Sequence, residues 1–143
     1  MMHRLVILTL GALVGCGGAR LYTVHLVNET DRAVEEIYIY KLGAKDHGAS
    51  RGALAPHADT RVQVRGGNVE VLGVSAKVQV DEHTRERRTA SAAIELKSPV
   101  DVVFYDSGKR PQLVARPDVI GVEFVPDKTP ATDAPDQPAS PNE

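Results

Sequence analysis

The chain has 143 residues, 17 Lys and Arg against 19 Asp and Glu, and a formal net charge of −2. That length suits one domain of ordinary size and scarcely two, and the near-neutral balance excludes the electrostatic footprint of a nucleic-acid binder. With one Cys, no Trp, two Phe and four Tyr, stability must come from a core of Val, Ile, Leu and Ala without an internal disulfide.

The chain starts with Met1-Met2-His3-Arg4, a short polar stretch with one fixed positive charge. An apolar run from Leu5 to Val14 follows and ends at Gly15 and Cys16. A basic start, a short apolar run and small residues at its end make a secretory signal peptide. The run is about a dozen residues, against about 20 for a helix that crosses a bilayer, so a permanent span is not expected.

Leu13-Val14-Gly15-Cys16 resembles the bacterial lipobox, an aliphatic residue and two small or modest ones before an obligatory Cys. The resemblance implies lipidation of Cys16. It also implies that Leu13, Val14 and Gly15 are recognised by the lipoprotein signal peptidase, which removes residues 1–15. One acyl chain holds a protein only marginally, whereas two or three make a durable tether. Gly17 stands where enterobacterial lipoproteins carry an Asp for inner-membrane retention, so the resemblance implies the outer membrane, facing the periplasm. The covalent lipid is the only group expected, with no further cofactor and no metal. Gly17 to Arg20 is then a spacer of at most roughly 13–14 Å when fully extended.

Leu21 to Val27 alternates as a first strand, with Tyr22, Val24 and Leu26 on one face and Thr23, His25 and Val27 on the other. His25 falls on the more polar face and is expected to be exposed. Asn28-Glu29-Thr30-Asp31 is a turn; it is formally a glycosylation sequon, but a turn accounts better for the residues. Val34 to Leu42 is a second strand around Ile37, Tyr38, Ile39 and Tyr40. Gly43 to Ala53 reads as a loop, and Thr60 to Arg65 as a short strand with Val62 and Val64 inward. Gly66-Gly67-Asn68 turns the chain.

Val69 to Val80 is the longest β pattern, and its apolar phase slips by one residue beside Gly73, as a β-bulge would produce. Arg85 to Leu96 alternates as a strand, although its Ala content would also suit a helix. Val100 to Tyr105 is a strong strand. Asp106-Ser107-Gly108-Lys109 is a hairpin-like turn leading to Gln112–Ala115 and Val119–Val125. Residues 126–143 carry Pro126, Pro130, Pro135, Pro138 and Pro141 and no large apolar side chain. Such a composition buries too little surface to offset its ordering entropy and is expected to be a disordered tail.

Seven or eight short strands with regular turn spacing and no definite helix predict an all-β domain over residues 21–125, an antiparallel β-sandwich. In pattern it resembles the immunoglobulin-like and transthyretin-like modules of exported bacterial proteins, through Val27-x-x-Thr30 and Leu54-x-Pro56. No site residue is carried over from them.

Three constellations invite chemistry. Gly48-Ala49-Ser50-Arg51-Gly52 matches the Gly-x-Ser-x-Gly nucleophile elbow, which works where a strand feeds a tight turn and a helix. Here Leu54-Ala55-Pro56 follows in place of a helix, and His57 and Asp59 come in the wrong order. Asp46, His47, His57 and Asp59 could ligate a metal only if they converge. Arg85, Arg87 and Arg88 form a basic cluster that could touch lipid phosphates. Tyr22, Tyr38, Tyr40 and Tyr105 are candidate binding contacts, since Tyr supplies contact area at low entropic cost.

The sequence therefore predicts a membrane-anchored envelope lipoprotein presenting a non-catalytic module to an envelope protein or cell-wall partner, with no nucleic acid involved. The alternatives are a small hydrolase using Ser50, or a structural spacer.

Overall fold

Two parallel strand pairs set the architecture. The computed structural model describes residues 18–110, 113, 116 and 118–126. The strands are β1 (Leu21–Asn28), β2 (Val34–Lys41), β3 (Asp59–Arg65), β4 (Gly67–Ser75), β5 (Val78–Gln79), β6 (Arg85–Glu86), β7 (Arg88–Leu96), β8 (Val100–Asp106) and β9 (Val119–Pro126). Among the described residues there is no α-helix, so the all-β class holds. Seven strands form one sheet in the order β2-β4-β7-β9-β8-β1-β3, and β5 and β6 make a separate two-stranded ribbon.

The expected wholly antiparallel arrangement is not what forms. β8 lies parallel to β1 and also to β9. A parallel pair needs a crossover connection, and residues 107–118 supply it, so the turn at Asp106–Lys109 opens a crossover and not a hairpin. Within it Leu113 is buried in a turn, its N–H directed at the Arg110 carbonyl at 3.4 Å. The rest of the strand expected at 112–115 lies outside the described residues, as do the expected leader and Cys16, within residues 1–17, and residues 127–143. Strand patterning reports which face a side chain occupies; it is silent on the direction of the neighbouring strand.

The sheet bends because β9 serves both halves. It runs beside β8 from Val119 to Phe124, then pairs Val125 and Pro126 with Thr89 and Arg88 of β7. At the free edge of β2, Val34 also forms an isolated bridge with Leu54 of the loop that follows. The result is one nearly closed, barrel-like sheet. Its core takes Val24, Leu26, Val64, Val102 and Phe104 from one half and Ile37, Ile39, Val71, Ala90 and Leu96 from the other. The rings of Phe104 and Phe124 meet there at 5.6 Å between centroids, a tilted contact that adds about 0.5–1.5 kcal/mol beyond area burial.

Gly66 and Gly67 do not close a hairpin. They carry the chain from β3, beside β1, to β4, between β2 and β7, and Gly67 adopts φ +123°, a conformation that favours Gly. The expected bulge at Gly73 is absent as well. β4 keeps Val69, Val71, Gly73 and Ser75 buried in one phase and pairs with β7 without a break from Gly67–Leu96 to Val74–Thr89. Gly73 is small because Phe104 lies against it: a Cβ there would meet Phe104 Cδ1 at 2.9 Å. The register irregularity is in β2, between Val34 and Glu36. Residues 85–96 are strands β6 and β7, as the alternation indicated.

Two additions protect the sheet. The loop after β2 runs back along its free edge, with Leu54 and Val34 exchanging N–H···O bonds and the Arg51 N–H donating to the Ile37 carbonyl. This covers part of an edge that would otherwise invite pairing with another chain. The crossover lays Leu113 over Val103 and Val119, giving a second small core on the outside of the sheet with Val27 and Tyr105.

Candidate functional site

The loop that clasps β2 contains the candidate nucleophile, and its geometry explains the glycines around it. Gly48 and Gly52 have φ of +71° and +112°. Between them the Ser50 Oγ accepts the N–H groups of Ile37 at 3.3 Å and Gly52 at 3.2 Å. It can donate to the Ile37 or Gly52 carbonyl, each at 3.4 Å. Its partners among the described residues are thus backbone groups, and no imidazole is among them. Ser50 acts here as a latch that fixes the loop.

The four residues considered for a metal have separate partners. Asp46 Oδ1 accepts the Gly48 N–H at 2.9 Å. His47 stacks on Tyr40, with centroids 4.5 Å apart and planes at 26°, and also meets Tyr38 at 5.8 Å. His57 Nε2 lies 2.8 Å from Asp31 Oδ1, and that hydrogen bond holds the Asp31 carboxyl below its usual range. Asp59 faces His25. Among the described residues no three His, Cys, Asp or Glu side chains converge as metal ligands.

His25 is not simply exposed. Its position on β1 puts it between β3 and β8, and its ring bridges them, Nε2 at 2.8 Å from Asp59 Oδ2 and Nδ1 at 3.2 Å from Asp101 Oδ1. The strand pattern gave only the face; two carboxylates from distant segments are added by the pairing.

The basic cluster is divided by the fold. The Arg87 guanidinium pairs with Glu35 at 3.5 Å and Glu36 at 3.6 Å. Arg88 bonds Glu86 through Nε and Asp106 Oδ1 through Nη1, the latter at 2.6 Å. These bonds hold the Glu86 carboxyl below its usual range and raise Arg88 further, each chiefly through the Glu86–Arg88 hydrogen bond. Arg85 Nε donates to Gln79 within the β5–β6 ribbon. Two of the three arginines thus belong to structural ion pairs.

The four tyrosines also separate. Tyr22 packs on Gly66 and the core, and Tyr105 covers Gly121. Tyr38 and Tyr40 remain together on the outer face of β2, opposite Leu72 and Glu70 of β4, with His47 stacked on them. The Tyr38 hydroxyl donates to Glu36 at 2.7 Å, which raises its pKa; burial, then Glu70, raises that of Tyr40. Tyr38, Tyr40 and His47 form a compact aromatic face, partly open to solvent.

A different set of cations collects at the end of the barrel where the described chain begins. The Arg20 carbonyl accepts the Gly66 N–H at 2.8 Å, Leu21 pairs with Arg65, and the Leu42 N–H donates to Asn68 at 3.0 Å. These contacts bring the start of β1, the ends of β2 and β3 and the start of β4 together. Between β2 and β3 opens a cavity of about 370 Å³, whose walls include Ile39, Leu42 and Val64 beside Lys41, Arg51 and Arg65. Among the described residues Arg20, Lys41, Arg51 and Arg65 have no carboxylate within ion-pair distance. Leu21 is 60% and Leu42 47% exposed beside them. In the sequence these cations are single residues at strand ends, so no linear cluster marks them.

Compared with protein-family models, curated proteins and solved structures, the chain matches none.

Proposed function

We propose that this protein is a cell-envelope lipoprotein, tethered through a lipid on Cys16 to the periplasmic side of the outer membrane. There it presents a non-catalytic β domain as a binding or accessory module. We read the halves of the bent sheet as the two layers of a sandwich joined through β9, a rigid mount for a recognition face. The observation that carries the reading is the cluster of Tyr38, Tyr40 and His47 on the outside of β2. Aromatic side chains with few rotatable bonds suit protein recognition, and the loop holding His47 is latched through Ser50 and Arg51. Engagement of the Ser50 hydroxyl with backbone groups also favours a module over a hydrolase.

The test is cross-linking in intact cells followed by mass spectrometry of the captured material. A reproducible protein partner, reduced in the double variant Tyr38→Ala, Tyr40→Ala and lost in Cys16→Ser, is the expected result. Equal capture by all three forms would remove the binding role.

A further inference from the structure

We propose that the end of the barrel around Lys41, Arg51 and Arg65 is a seat for an anionic bilayer surface. The three cations meet lipid phosphates, and Leu21 and Leu42 enter the headgroup layer. The proposal rests on the reading that Cys16 carries the lipid. Cys16 lies four residues before Arg20, so a fully extended spacer reaches only roughly 13–14 Å. The anchor therefore brings this end, and no other, to the membrane.

The charges at this end suit the same surface. Toward the opposite end Arg87, Arg88 and Arg110 pair with Glu or Asp, while Arg32, Lys77 and Arg85 have no ion pair among the described residues and stand apart from one another in the turn after β1 and in and ahead of the β5–β6 ribbon. At the tether end Lys41, Arg51 and Arg65 lack such partners among the described residues, as does Arg20. Basic residues close to an anionic leaflet attract it, and the attraction fades within a Debye length. The exposed leucines beside them would gain by leaving water. Val78, Val80 and Val125 are exposed toward the other end too, so it is the short spacer that selects between the ends.

A competing occupant is the chain's own tail, which includes Asp127, Asp133, Asp136 and Glu143. Pro126, from which it continues, pairs with Arg88 at the far end of the sheet. The tail would have to cross the length of the barrel to reach these cations, whereas the bilayer is brought to them by the anchor.

The experiment is flotation of the chain from Cys16 onward, carrying Cys16→Ser, with phosphatidylcholine vesicles containing or lacking phosphatidylglycerol. Flotation only with the anionic lipid, suppressed by salt, is expected. Each cation near the surface is worth roughly a fivefold change in partitioning. The triple variant Lys41→Gln, Arg51→Gln, Arg65→Gln should therefore bind about a hundredfold more weakly, with an unchanged circular dichroism spectrum. Leu21→Ser with Leu42→Ser should weaken binding too, and Lys77→Gln should not. If the triple variant fails to fold, the single variants carry the same comparison. No flotation, or equal flotation of wild type and the cation variants, overturns the seat. So does anionic-lipid binding that emerges only after residues 127–143 are removed, since the tail would then be the occupant. Vesicle binding here needs no acyl chain. Its failure therefore leaves the anchor reading intact, whereas an unmodified Cys16 in cells would sink that reading and not the seat.

Discussion

Asn28 Nδ2 donates to the Ala55 carbonyl at 3.0 Å, tying the turn after β1 to the loop ahead of β3. The same group donates to the Arg32 carbonyl at 2.9 Å, and Asn28 Oδ1 accepts the N–H and hydroxyl of Thr30 at 3.1 and 2.8 Å. Asn28 and Thr30 are both buried. The sequon and the Leu54-x-Pro56 fragment are therefore two sides of one polar knot. An Asn whose amide nitrogen is enclosed by carbonyls is a structural part in the folded domain.

Replacing Asn28 with Ala should cost about 2–4 kcal/mol, because buried carbonyls and the Thr30 hydroxyl lose their partner. Asn28→Asp should be at least as harmful, since it buries a charge and removes the amide donors. Urea unfolding followed by circular dichroism measures both, and a change below about 0.5 kcal/mol in each would contradict the knot.

Gly73→Ala should cost about 1–3 kcal/mol by forcing the Phe104 ring off its position. Because the two positions touch, the effect should be non-additive with Phe104→Leu, which gives room for the methyl group. A double-mutant cycle on thermal unfolding reads the coupling; strict additivity would place the ring elsewhere.

These two sites show what was legible in the sequence. Alternation located β1, β2, β3, β8 and β9 to within a residue at each end, because a half-buried strand must alternate; the pattern expected to run from Val69 to Val80 instead breaks after Ser75, and the one from Arg85 to Leu96 divides at Arg87. Ser50's failure to fit a nucleophile elbow was also readable from the Pro that follows in place of a helix. Partners across the sheet were not readable. The phase slip near Gly73 looked like a bulge because Leu72 and Val74 are apolar although they face outward, and because Gly73 and Ser75 fill inward positions without a large side chain. His25 likewise gave no sign of Asp59 and Asp101, which strand pairing alone brings beside it. The direction of β8 and the grouping of cations near the start of β1 follow from strand order, which local pattern does not encode.

Arg88, at the start of β7, links Glu86 of β6 to Asp106 at the end of β8. The folded Glu86 carboxyl titrates below its unfolded value, near 4.3, so its contribution is fully present above that pH. It is lost as pH falls through the lower folded value. The stability difference between wild type and Glu86→Gln should therefore be largest near neutrality and shrink on acidification below about pH 4. Arg88→Ala should cost about 2–3 kcal/mol at pH 7, leaving the Glu86 carboxylate unpaired and Asp106 with only the looser Lys109 contact at 3.8 Å. Urea unfolding at stepped pH checks both, and a gap that widens toward acid would reverse the assignment.

Ser50→Ala should release the latch on β2 at a cost of about 0.5–1 kcal/mol, since its bonds are long and the residue is exposed. Limited proteolysis should then cut within residues 43–53 more readily, and capture of the partner in cells should weaken by no more than a few-fold, since the Arg51 bond still holds the loop that carries His47. Loss of an envelope phenotype with folding, export and partner capture intact would restore Ser50 as a nucleophile.

The most direct test of the central claim is the intact mass of the protein extracted from the membrane fraction of its own cells. The account predicts a chain that begins at Cys16 and carries a diacylglycerol thioether, with or without an added amide-linked acyl chain, and a Cys16→Ser form lacking both. A chain that keeps residues 1–15, or one cut elsewhere with Cys16 unmodified, would contradict it.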